Sequence, residues 1–167
     1  MAEAFNDVVL PTQKAACYAA VADEIAAVLA GEPNLVARMA TVSSMLASSF
    51  AHYFWTGFYV VDPVKGDELV VGPYQGTLGC MRIAFGRGVC GAAAAAQATQ
   101  VVADVHAFPG HIACDSRSAS EIVVPVFGPD GALIAVLDID SEKPAAFDGV
   151  DQAWLERIMA ATFSGRP

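Results

Sequence analysis

Long apolar runs are absent from this 167-residue chain. The longest run of small residues, Gly91 to Ala96, is mostly alanine and falls far short of the ~20 residues that span a bilayer. Basic residues are scarce: 9 Lys and Arg stand against 18 Asp and Glu, a net charge of −9. That deficit argues against a nucleic-acid binder and against docking on anionic lipid, both of which want a basic surface. It suits a soluble protein with a small-molecule ligand. The N-terminal stretch MAEAFNDVVLPTQK has neither the basic start nor the apolar core of a signal peptide, so the expected location is cytoplasmic. Cysteine is sparse, with four residues at 17, 80, 90 and 114 and no CxxC pair. Zinc is therefore disfavoured, with His106 and His111 as the further ligands it would need. In a reducing compartment these cysteines are not structural disulfides, and a chain of this length can build a core without them. No internal repeat or linker divides the sequence, which reads as one domain, residues 1–167, with 1–10 as a loose lead-in.

Apolar residues are plentiful, at 55% of the chain, and their spacing changes along it. Thr12 to Leu29 reads as an Ala-rich helix stopped by Gly31 and Pro33. Cys17 reads there as a small packed residue. Asn34 can cap a second helix running through Phe50, with Leu35, Met39, Val42, Leu46 and Phe50 as one stripe. From His52 the texture becomes HYFWTGFYVVD, a strand. Trp55 and Tyr59 are four apart and face one side of it, as core or as the wall of a small pocket. A turn over Asp62–Asp67 leads to a return strand, Glu68 to Tyr74. Met81 to Phe85 is a short strand. Gly86 to Gly91 turns into an Ala-rich helix ending near Thr99, and no GK[ST] follows to make a phosphate loop. Gln100 to Ala103, Ile122 to Phe127 and Ala132 to Ile139 are further strands. Asp148 can cap a last helix with Val150, Trp154 and Ile158 as its stripe. The hairpins imply an α+β domain, a central, mainly antiparallel sheet with helices packed on it.

The chemistry gathers in the stretch HAFPGHIACDSRSASEIVVP, residues 106–125. Cys114 sits in its loop among His111, Asp115 and Arg117, and Glu121 stands at the strand mouth. Loops held by a rigid sheet are where reactive groups tend to sit, although a lone Cys is often just a buried hydrophobe. Asp138 and Asp140 are two apart and point to one side of their strand. They are either a solvated strand end or a paired acidic site, in which one carboxyl is held protonated while its partner binds an ammonium group. The Cys80, Cys90 and Cys114 set suits dithiol chemistry: one thiolate attacks and becomes a sulfenic acid, then a second thiol condenses with it. Which one attacks is open at this level. Cys90 has a helix start, which favours an anion, and Cys114 has the polar loop.

The run HIACDSRSASEIVVPV, together with GRGVCG, the WTGFY strand and LDIDS, resembles the free methionine-(R)-sulfoxide reductase family, a single-domain branch of the GAF fold. The similarity covers roughly Pro11 to Phe163. It implies reduction of free methionine-(R)-sulfoxide, with Cys114 in the position of the attacking cysteine and Cys80 and Cys90 in those that resolve the sulfenic acid. It also implies Glu121, Asp138 and Asp140 as pocket carboxylates that bind the ammonium group and protonate the sulfoxide oxygen, Trp55 and Tyr59 as the aromatic wall, and thioredoxin as reductant. No cofactor or metal is expected, and a homodimer is compatible. Two other classes compete. One is a stand-alone GAF sensor of a small ligand or redox state, disfavoured because sensory domains usually sit beside an output domain and this sequence stops at Pro167. The other is a thiol-based zinc or redox switch.

Overall fold

The computed structural model describes residues 11–112 and 114–165, so the lead-in expected over 1–10 lies outside the described residues. Strands β1 (Trp55–Val61), β2 (Glu68–Gln75), β3 (Arg82–Ala84), β4 (Gln100–Val102), β5 (Ser120–Phe127) and β6 (Leu133–Ser141) form one sheet in the order β3-β2-β1-β6-β5-β4. Every neighbouring pair is antiparallel. Helices α1 (Pro11–Val28), α2 (Leu35–Ser49) and α4 (Gly149–Met159) cover one face, and α3 (Gly88–Ala96) covers the other.

Side-chain alternation divides the core in two. Phe58, Ile122, Val124, Leu137 and Ile139 point toward α1, α2 and α4, where they meet Tyr18, Ile25, Met39, Leu46 and Leu155. Tyr59, Leu69, Val123 and Val136 point the other way, against Val89, Cys90 and Ala93 of α3. Because both faces are covered, β5 reads as a continuous apolar run from Ile122 to Val126 instead of alternating.

Two strands are longer than their residue types suggest. β5 begins at Ser120 and β6 continues to Ser141, which places Glu121, Asp138 and Asp140 inside the ladder. Acidic residues are poor strand formers. Here the pairings Ser120 with Ser141 and Glu121 with Asp140 extend the sheet around them.

The helices also depart from the expected pattern at two places. The buried stripe of α4 is Asp151, Leu155, Ile158 and Met159, while Val150 and Trp154 are only half-buried. Asp151 is drawn inward because Lys14 and the Tyr18 hydroxyl of α1 bind its carboxylate. Cys17 is not packed among alanines; it is free and exposed on α1. The Asn34 cap forms as expected, its side chain accepting from the Ala37 amide at 2.9 Å. Among the described residues, no helix is long and apolar enough to cross a membrane.

Candidate active site

The register of three strands assembles the site. Asp140 lies opposite Glu121 on β5 and opposite Trp55 on β1, while Asp138 lies between Val123 and Gly57. All of these point to the α3 face. Residues directly opposite have Cβ atoms only about 4.5–5.5 Å apart, so Glu121, Asp138 and Asp140 form one acidic floor. Trp55 and Tyr59 wall it with rings stacked at 5.6 Å, and Tyr74 of β2 extends the stack at 5.1 Å from Trp55. Gly57 makes this possible: a Cβ there would lie 2.2 Å from the Tyr74 Cβ and 2.9 Å from the Trp55 ring.

The roof comes from α3 and two loops. Cys90 is the third residue of α3; its Sγ donates to Glu121 Oε1 at 3.9 Å and the residue is 4% exposed. Cys80 and Cys114 close the mouth as a disulfide with Cα atoms 5.5 Å apart, a separation typical of such bonds. Cys114 is exposed, Cys80 is half-buried, and Cys90 remains free. The two loops are tied together beside the disulfide. Thr77 Oγ1 donates to Asp115 Oδ2 at 2.7 Å, and Arg117 grips the same carboxylate through Nε and Nη2 at 3.1 and 2.8 Å. The Arg117 guanidinium also lies 4.9 Å over the Phe54 ring. The partly open cavity has a volume of about 40 Å³, lined among others by Trp55, Tyr59, Cys90, Cys114, Glu121, Asp138 and Asp140.

Burial governs the electrostatics. It pushes the carboxyls of Glu121 and Asp138 well above the usual range, and their mutual repulsion with Asp140 adds to this. Asp140 is raised to about 6 by burial, against a hydrogen bond from Ser118 that favours its ionised form. The helix start does not lower the Cys90 thiol; burial, then Asp138 and Glu121, push it up. Among the described residues, none of the three carboxylates has a Lys, Arg or His partner. One buried oxygen of Asp138 has no hydrogen-bond partner at all. The floor therefore holds protons near neutral pH and is poised to meet a cation.

Known proteins fix the context of this geometry. The family model described as GAF domain matches residues 39–162. Free methionine-R-sulfoxide reductase of Escherichia coli (strain K12) is 42% identical over 86% of this chain and 84% of that protein. The Saccharomyces cerevisiae protein of the same name is 42% identical over 77% of this chain and 73% of its own length. The X-ray structure of free methionine-R-sulfoxide reductase from Neisseria meningitidis in complex with its substrate superposes with a TM-score of 0.85, at 50% identity, covering 91% of this chain and 89% of that one. This chain belongs to the free methionine-R-sulfoxide reductase family of GAF domains.

Seven of the eight residues given a site role in the sequence line one cavity in this GAF fold, and the eighth, Cys80, is joined to one of them, Cys114, by a disulfide. Sequence reasoning missed Ser118, whose hydroxyl binds Asp140. It also missed Tyr74 and Thr77, which accepts the Trp55 indole N–H on its carbonyl at 2.9 Å. Ser118 sits two residues before β5 and carries no pattern of its own. Tyr74 had a usable signal, since it is the aromatic residue on the return strand of the hairpin that holds Trp55.

Proposed function

We propose that this protein is an oxidoreductase that reduces free L-methionine (R)-S-oxide to L-methionine. The observation that carries the reading is the acidic trio Glu121, Asp138 and Asp140, the first two buried and the third half-buried, lining the same cavity as Cys114 of the Cys80–Cys114 pair. In the reduced form the Cys114 thiolate attacks the sulfoxide sulfur. A carboxyl of the floor, protonated because it is buried, gives its proton to the sulfoxide oxygen. The protonated oxygen then passes from the substrate sulfur to Cys114 Sγ as the new S–S bond breaks, so methionine departs with that bond's electron pair and Cys114 is left as a sulfenic acid. Cys80 attacks that sulfur, water departs, and the 80–114 disulfide forms. An ionised carboxylate of the floor binds the α-ammonium group, which a residue inside a peptide lacks; leaving such a buried carboxylate unpaired is costly, so the free amino acid is selected. Trp55 and Tyr59 enclose the methylthio end.

Thioredoxin is the proposed reductant, and Cys114, an exposed residue, gives it a point of approach. The cytoplasm is the proposed location, where that reductant is maintained. Residues 1–167 act as one unit. Each protomer carries a complete site, alone or in a homodimer, and no nucleic acid or membrane takes part. Cys90 stays outside the disulfide, buried against Glu121.

The test is an assay with separated epimers, free and peptide-bound, in the presence of thioredoxin, its reductase and NADPH. Consumption of the free R epimer alone is expected. In the same assay Cys114→Ser is inactive. Cys80→Ser accumulates sulfenic acid on Cys114, whereas Cys90→Ser still closes the 80–114 disulfide by mass analysis. Binding of the sulfoxide without turnover would instead leave a ligand sensor.

A further inference from the structure

Among the described residues, the cavity concentrates acidic groups without a basic side chain beside them, and three of its ligating atoms are arranged for metal binding. Cys90 Sγ and one oxygen each of Glu121 and Asp138 lie within 4.8 Å of one another, and all three residues are buried. Tetrahedral zinc, with Zn–S about 2.3 Å and Zn–O about 2.1 Å, sets its sulfur and oxygen ligands about 3.6 Å apart. The Cys90 Sγ to Glu121 Oε1 separation is 3.9 Å. Asp138 lines the cavity, is only 5% exposed, and leaves its buried Oδ1 without a hydrogen-bond partner. A volume of about 40 Å³ has room for an ion and a bound water.

We propose that Cys90, Glu121 and Asp138 form a binding site for a thiophilic divalent cation of the zinc class, which blocks the pocket when it binds. The thiolate selects against magnesium and calcium, which prefer an all-oxygen shell of six or more ligands. Three protein ligands leave the fourth position to water, and the Cys90 proton departs to solvent on coordination. The site survives in the oxidised protein, because the 80–114 disulfide leaves Cys90 free. The blocking half rests on the reading of this cavity as the substrate pocket; the binding half does not.

The experiment is calorimetric titration of the disulfide form with zinc chloride, repeated with cobalt(II) to read absorption. One equivalent binds, and a thiolate-to-cobalt charge-transfer band appears in the unmodified protein. Cys90→Ser and Glu121→Gln each weaken zinc at least tenfold, with circular dichroism confirming that both fold. Cys17→Ser leaves binding unchanged, as does the His106→Asn and His111→Asn pair, and excess magnesium does not compete. Unaltered affinity in Cys90→Ser, loss of binding in the histidine pair, or cobalt binding without the thiolate band would overturn the site. In single-turnover assays of reduced protein freed of added thiols, zinc lowers the rate at subsaturating sulfoxide at least tenfold, and a chelator restores it. Zinc bound through Cys90 with no loss of rate overturns the blocking half. Zinc bound through Cys90 in a protein that never turns over free sulfoxide overturns the proposed reaction and leaves the site standing.

Discussion

At the scale of single residues, the carboxylates of the floor cost stability once ionised, because burial penalises their charge. Asp140 rises from 3.8 to about 6 because it is buried, with the Ser118 hydroxyl only partly offsetting this. A carboxyl raised in the folded state favours folding while it is protonated. That contribution is complete below the unfolded value near 4 and is lost as pH rises through about 6. Asp140→Asn does not titrate, and its amide oxygen still accepts from Ser118. The variant matches the parent protein near pH 4, gains over it between about pH 4 and 6, and holds a constant advantage above, up to about 3 kcal/mol. Thermal melts across pH 4 to 8 check this; an advantage that appears only on acidification would reverse the sign and refute the argument. Under the proposed reading the same substitution removes a charge that would meet the substrate ammonium, so the stabilised variant is expected to bind sulfoxide more weakly.

At the scale of elements, the period of two along β6 already placed Asp138 and Asp140 on one side, and the same period did so for Trp55 and Tyr59. Missing from the sequence was the register between strands far apart in the chain. That register sets Glu121 across from Asp140 and converts two local patterns into one site. Local pattern also could not show that Asp151 turns inward on α4, because its partners Lys14 and Tyr18 sit at the other end of the chain. The helix-start argument for Cys90 failed for a related reason: burial beside two carboxyls outweighs the dipole of a nine-residue helix. Gly57 belongs to this scale. It lets β1 and β2 approach where Trp55 and Tyr74 stack, and an added methyl meets the Tyr74 Cα at 2.8 Å, which is backbone and cannot swing aside. Gly57→Ala is expected to cost about 3 kcal/mol or more. That corresponds to a fall in Tm of roughly 6–12 °C for a domain of this size. The near-ultraviolet dichroism of the Trp55 stack weakens with it, and an unchanged Tm would mean that the two strands part more easily than their packing implies.

At the scale of the molecule, the sheet supplies the floor and the disulfide joins the two loops of the roof. With Cys80 and Cys114 joined, and Asp115 holding Thr77 and Arg117 beside them, the cavity has room for a few water molecules at most. By that volume the oxidised pocket is expected to exclude an amino-acid sulfoxide, which would enter once the disulfide is open and the two loops part. In the proposed cycle, closure follows the reaction and the reductant reopens the site. Ligand-linked stability separates the two states. Free methionine-(R)-sulfoxide at a hundred times its dissociation constant adds about 2.7 kcal/mol to a form that binds it. Cys114→Ser cannot close the mouth or react, and its Tm rises by roughly 5–10 °C under that ligand. The oxidised parent protein shows no rise at the same concentration. Equal rises in both would mean that the disulfide does not control entry, and the coupling between redox state and access would have to be abandoned.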